Sequence, residues 1–326
     1  MALFAAGFNA WNQLDFNAAP TDTDPEDVWV FSKVLQDEGL ERPRAGLCYT
    51  LVRGSSGYHV AGTGVAAIDE KDVEQMYTAC RAGNDLTLAV VAPVPSLISQ
   101  DDDVETPRRF IEKYACFQDY KSRSKPTKLP CASPVQQVAA YEAGFLVLYQ
   151  DGTVATLGDP RYQDCLAREV TEKSPPYELC QVPDLTCLGD PVKHVTAGGY
   201  ILAALTESSS VYVWGRQSGG MGHRTFNSSF DVSGMPNYCE VYGDKDVQDI
   251  ALGESHAIAL TANGEVCVIG TNSNGQLGLG KSRDFHATAW TKLHLDLPTG
   301  HHVTGVAAGP RCSFILTAQK ATATII

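Results

Sequence analysis

Residues 275–282 read GQLGLGKS and satisfy the G-x-x-x-x-G-K-S spacing of a phosphate-cradling loop. That chemistry needs backbone N–H groups and the start of a helix to converge on phosphate oxygens, with a lysine, here Lys281, as counter-charge. The run before it, EVCVIG, reads as the required strand. The run after it, RDFHATAWTKLHLDLP, shows no helical apolar face and closes on Pro298. The glycines therefore have another use, and no nucleotide or other cofactor is expected. A weaker glycine-rich run, GRQSGGMGHR from Gly215, is read the same way.

The other reactive residues point away from catalysis. None of the ten cysteines forms a C-x-x-C pair, and the nearest two, Cys180 and Cys187, have no histidine at ligand spacing. Free thiols in apolar strands are expected, with neither disulfide nor metal site, as in a reducing compartment. His301 and His302 adjoin a turn, and His256 reads as a structural hydrogen-bonding residue. No nucleophile elbow, zinc-protease helix or flanked carboxylate pair is present, so no catalytic residue is assigned.

The elements that carry these residues repeat. Residues 247–280, VQDIALGESHAIALTANGEVCVIGTNSNGQLGLG, recur as VKHVTAGGYILAALTESSSVYVWGRQSGGMG from Val192. Gly198 and Gly253 are 55 residues apart, and Gly309 follows after another 56. Such a period marks one supersecondary unit laid side by side. Each copy holds short runs rich in Val, Ile and Ala, separated in the clearest copy by the turn Ala262-Asn263-Gly264, whose Asn-Gly predicts a tight primed turn with positive φ at both central residues. Gly198, Gly253 and Gly309 are expected to allow a sharp turn into the second strand. Three or four antiparallel strands per unit describe the blade of a β-propeller.

The chain ends fit a ring. AAGFNAWNQL at residues 5–14 matches VIGTNSNGQL, with Trp11-Asn12 standing where Asn274-Gly275 do, so a repeat ends where the chain starts. Residues 2–14 are expected to complete the blade begun near His302, closing the ring without an open edge. Weaker copies start at Ala45, Cys80 and Val135, and residues 101–134 leave room for another. The expectation is one all-β domain over residues 1–326, a propeller of six or seven blades. Whether residues 321–326 add a strand stays open.

These residues resemble the regulator of chromosome condensation repeat family. The copy at Gly253, His256, Gly264, Val266, Gly270, Asn272, Gly275, Gln276, Leu277 and Gly278 follows that pattern throughout. Ile201, Gly144 and Cys312 replace the histidine in other copies. Among family members, a compact chain of this size is similar to the accessory propeller of fungal diphthamide synthesis and Elongator-dependent tRNA modification, the α-tubulin-suppressor, killer-toxin-insensitivity type. That resemblance implies a non-catalytic regulatory partner for a small acidic zinc-binding electron carrier. The family also implies two alternatives: nucleotide exchange on a small GTPase, or a chromatin- or demethylase-associated propeller.

Composition bounds the partner. A formal net charge of −13 repels phosphate backbones, so no direct nucleic-acid role is expected. No run is long and apolar enough to span a membrane, and MALFAAGFNAW lacks the basic start of a secretory signal. A cytoplasmic or nuclear location follows as the expectation, with the sequon at Asn227 unused. The basic segment KSRSKPTK, with Lys121, Arg123, Lys125 and Lys128, reads as a loop insertion over 121–130, either solvated or docking an acidic partner. The acidic stretches 22–27 and 101–105 read as exposed connections. Trp29, Arg161 and Tyr162 join the four basic residues as partner-binding candidates, while Trp11, Trp214 and Trp290 fit blade packing equally well.

Overall fold

A computed structural model describes residues 1–17, 25–63, 70–90, 110–216, 232–281 and 286–320. The acidic residues 22–24 and 101–105, the glycine-rich run beyond Arg216, the sequon at Asn227 and residues 321–326 lie outside the described residues.

The described strands form six antiparallel sheets. Blade one is Arg44–Ala45, Tyr49–Gly54 and Gly57–Gly62; blade two is Ala79–Arg81, Thr87–Val90, Phe110–Tyr114 and Thr127–Pro130. Blade three is Val135–Tyr141, Gly144–Tyr149, Val154–Gly158 and Cys180–Gln181; blade four is Val192–Gly198, Ile201–Thr206, Val211–Gly215 and Asn237–Tyr238. Blade five is Val247–Leu252, His256–Thr261, Val266–Thr271 and His286–Lys292. Blade six pairs His301–Gly309 and Cys312–Gln319 with Ala2–Gly7 and Val28–Gln36. The count is therefore six. The stretch that left room for a seventh blade supplies the third and fourth strands of blade two.

The termini share blade six, Ala2 standing opposite Thr317 and Gly7 opposite Cys312. The N-terminal contribution runs past residue 14 to a second strand ending at Gln36. The core sits between neighbouring sheets: one buried cluster joins blades three and four through Leu146, Leu148, Val195 and Leu202, and another joins blades five and six through Ile258, Val268, Val306 and Ile315. Second strands such as HAIALT are buried along their whole length because both faces meet another blade.

Three local readings change. The turn Ala262-Asn263-Gly264 is a three-residue loop but not a primed turn. Thr261 N–H bonds Glu265 O at 2.9 Å, Gly264 N–H bonds Thr261 O at 2.9 Å, and only Gly264 has positive φ (+83°). That is a type I turn closed by a left-handed residue, the next commonest hairpin. Gly198, Gly253 and Gly309 serve packing between blades rather than the turn itself. A Cβ on Gly198 would lie 2.1 Å from Gly253 O, and one on Gly309 would lie 2.6 Å from Ala45 Cβ. Residues 121–130 are no insertion beside the blade. Lys121 ends a short helix (Phe117–Lys121), and Lys128 sits in the outermost strand of blade two.

A fourth feature repeats without having been anticipated. The first strands of blades three to six shift register at one equivalent place, between Val135 and Gln137, Val192 and His194, Val247 and Asp249, and Val303 and Gly305. The bulge re-aims Gln137, His194, Asp249 and Gly305 at one height around the axis.

Strand direction defines two faces. The upper face carries the turns from first to second strands and the connections from third to fourth strands. The lower face carries the second-to-third turns and the links between blades.

Candidate functional site

All seven partner-binding candidates project from elements at the upper face, on three separate blades. On blade two, Lys121 pairs with Asp72 at 2.8 Å, and the Arg123 guanidinium lies 5.4 Å from the Tyr120 ring and 3.9 Å from Glu112. Lys128 Nζ sits 4.5 Å above the Phe110 ring. Lys125 is exposed, and Arg123 and Lys125 both hold left-handed backbone, φ +54° and +48°. On blade six, Trp29 is half-buried at the start of the outer strand, with Lys281 Nζ 5.6 Å from its ring. Gly280 N–H bonds Trp29 O at 2.9 Å, so the lysine and glycine of the phosphate-loop pattern are engaged with Trp29. The next described element, His286–Lys292, is a strand.

On blade three, Arg161 and Tyr162 belong to a larger assembly. Asp159 caps the 3-10 turn Pro160–Tyr162 through Arg161 N–H at 2.9 Å and holds the Arg161 side chain through Nε and Nη2. The guanidinium lowers the Asp159 carboxyl below its usual range. Tyr162 stacks on Tyr200 of blade four, centroids 4.7 Å apart and planes 24° from parallel. The guanidiniums of Arg161 and Arg216 each lie 5.8 Å from the Tyr162 ring. An aromatic pair gripped by two cations on a pinned turn loses little freedom when a partner covers it. Tyr200 and Arg216 were absent from the candidates because they sit one repeat further along the chain. Arg216 lies 55 residues after Arg161, which was the available signal.

Trp11, for which the sequence fits packing and binding equally well, is exposed together with Leu47, each at 47%. One carboxamide joins their backbones: Gln13 Oε1 accepts from Trp11 N–H at 2.9 Å and Gln13 Nε2 donates to Leu47 O at 3.0 Å. In blade five the equivalent tip is Asn274, whose N–H bonds Gln276 Oε1 at 2.9 Å. A tryptophan in the place of that asparagine is the legible sign. Trp214, by contrast, is fully buried and donates to Cys165 O at 3.1 Å, a packing role.

A serine, a histidine and an aspartate do converge on the lower face. Ser56 Oγ and His59 Nε2 lie 2.5 and 2.7 Å from the same Asp37 oxygen, and 3.2 Å from each other. A nucleophile relay needs one ring nitrogen on the serine and the other on the carboxylate. Here a single nitrogen faces both, and the serine proton goes to Asp37. These bonds drive the Asp37 carboxyl well below the usual range, the behaviour of a turn clamp. His256 is structural too: Nε2 donates to Cys312 O at 3.2 Å, joining blade five to blade six, and burial lowers its pKa to about 4. Among the described residues no group of three or more His, Cys, Asp and Glu is placed to hold a metal, and no helix is long and apolar enough to cross a membrane.

Residues 247–276 match the family model described as the Regulator of chromosome condensation (RCC1) repeat. The E3 ubiquitin-protein ligase HERC2 of Homo sapiens is 36% identical over 143 residues, 43% of this chain and 3% of that protein. The RCC1-like G exchanging factor-like protein of Mus musculus is 30% identical over 181 residues, 51% of this chain and 36% of that protein. The chain thus spans little more than a third of the second relative and a small part of the first. Human WBSCR16 superposes with a TM-score of 0.63 at 16% identity, covering 98% of this chain and 100% of that one, a likeness of fold.

Proposed function

We propose that this single propeller of regulator of chromosome condensation repeats is a non-catalytic docking platform whose upper face receives another protein. The observation that carries the reading is the Tyr162–Tyr200 stack between Arg161 and Arg216. Tyrosine and arginine dominate interface hot spots, and a stiff ring presents them with little entropy to lose. The adjoining edge of blade two supports an acidic partner: Lys121, Arg123, Lys125 and Lys128 are all exposed there, with Asp72 and Glu112 as ion-pair partners of Lys121 and Arg123 among the described residues. On the resemblance described above, the partner is a small acidic zinc-binding electron carrier. The propeller would then regulate electron delivery to diphthamide synthesis and Elongator-dependent tRNA modification in the cytoplasm or nucleus.

The test is co-purification from the native source. A small zinc protein at a one-to-one ratio is expected, with binding weakened by Tyr162→Ala or Arg216→Ala by about 2 kcal/mol, the hot-spot threshold. Full-strength binding by both variants would remove the site, and absence of such a protein would remove the named partner. The relative named as a G exchanging factor favours a second reading, exchange on a small GTPase. Stopped-flow release of labelled GDP decides it: strong acceleration on a Ran-type GTPase favours exchange, and no acceleration ends that reading.

A further inference from the structure

One side chain spans the axis at the lower mouth of the ring. Arg42 lies just before the first strand of blade one, and its Nη2 reaches both oxygens of Asp249 in blade five at 2.7 Å. Its Nη1 lies 3.1 Å from Nε2 of His194 in blade four, directly opposite. Gln137 of blade three holds the other ring nitrogen of the histidine. Its Nε2 donates to Val195 O at 2.7 Å, so its Oε1 is the atom that meets Val195 N–H and His194 Nδ1, at 3.2 and 3.0 Å. His194 Nδ1 thus faces an acceptor, while Nε2 lies between Arg42 Nη1 and the Ile250 carbonyl oxygen, the latter at 3.0 Å. Asp249 also accepts from Ile250 N–H and, on blade six, Val306 N–H, at 2.9 Å each. At the matching position of blade six stands Gly305, where a Cβ would lie 3.2 Å from Asp249 Oδ2. The bulged layer thus forms a seat for one guanidinium.

The flanking residues extend the tie in the other direction. Glu41 accepts from the Tyr77 hydroxyl at 2.8 Å, and Arg44 donates to Ala79 O of blade two at 3.3 Å with its guanidinium 4.8 Å from the Tyr77 ring. This matters because the first strands of blades one and two have only two and three residues, against six to nine in blades three to six. Strand packing around the axis is shortest in that sector, and there a single charged nitrogen of Arg42, whose side chain is 41% exposed, is shared between both oxygens of Asp249, whose side chain is 10% exposed.

We propose that Arg42 locks the sector of blades one and two onto the rest of the ring, so that the propeller opens there and not at the seam between its termini. Residue-resolved hydrogen exchange on the whole chain tests this. In the wild type, amides of Tyr49–Gly54 and Thr87–Val90 should open before those of Ala2–Gly7 and Cys312–Gln319. Arg42→Met should speed exchange in the first group about tenfold or more, the scale of a lost charged hydrogen bond, and by less in blades four and five, where His194 and Asp249 lose Arg42 but keep Gln137, Ile250 N–H and Val306 N–H. Asp249→Asn should give the same pattern more weakly, because it keeps the shape and loses the charge. Seam amides opening first in the wild type, or equal acceleration in every blade, would overturn the proposal.

Discussion

His256 and His194 show what burial does to a titratable residue that bonds as a neutral ring. Burial is the leading cause in both and lowers each pKa from 6.5 to about 4; Arg42 adds to the effect at His194, while Asp249 opposes it. Between those values the unfolded chain binds protons that the folded one refuses. This stabilising difference is complete above pH 6.5 and is lost as pH falls towards 4, at about 1.4 kcal/mol per pH unit for each ring. His256→Gln can still donate to Cys312 O, and it should flatten the slope of unfolding free energy between pH 6 and 5 by one proton's share. Denaturant melts at the two pH values measure it; an unchanged slope would place the titration elsewhere. The structural role of His256 was legible because its repeat copy is complete. Arg42 was not, since a lone cation 207 residues from its carboxylate leaves no periodic trace.

At the scale of elements, third strands carry a glycine at or next to their last residue, held at φ between +104° and +129° in Gly7, Gly62, Gly215 and Gly270. A Cβ on Gly270 would stand 2.5 Å from Ser255 O and 2.7 Å from His256 Cα, both backbone atoms that cannot swing away. Gly270→Ala should cost about 1–3 kcal/mol, the range for a strained backbone, visible as a lowered thermal midpoint. That glycine belongs to the repeat and was readable. Among the described residues blade one has three strands, and the element that follows them is not strand-like. Glu70–Thr78 is a helix that buries Val73 and Tyr77 with Met76 packed beside them, an i, i+3, i+4 stripe short enough to hide among strand-length runs. Blades one and two diverge most from the repeat, and there the sequence yields least.

For the whole molecule, closure through a mixed sheet ties stability to both ends of the chain. Removing residues 1–7 takes the strand between Cys312–Gln319 and Val28–Gln36, exposing two edges and the buried Val52, Phe314 and Leu316 that cluster with Leu3 and Ala5. Such a chain should lose cooperative unfolding and associate through the freed edges, which calorimetry and sedimentation report; a monomer melting like the full chain would contradict the latch. The latch was legible from residues 5–14, because a half-repeat at each end has one geometric explanation. The proposed docking face is less legible: Arg161 and Tyr162 stand out in the sequence, but their companions Tyr200 and Arg216 enter only when neighbouring blades are laid side by side.

Both ends of the closing pair leave at the same rim, with Ala2 and Thr317 there and Gly7 and Cys312 at the far end. Tension applied between the two termini would therefore peel the hydrogen bonds one after another instead of shearing them together. A filament-tethered or surface-tethered copy would give way at low force, and would zip shut again from Gly7 outward once the load is released.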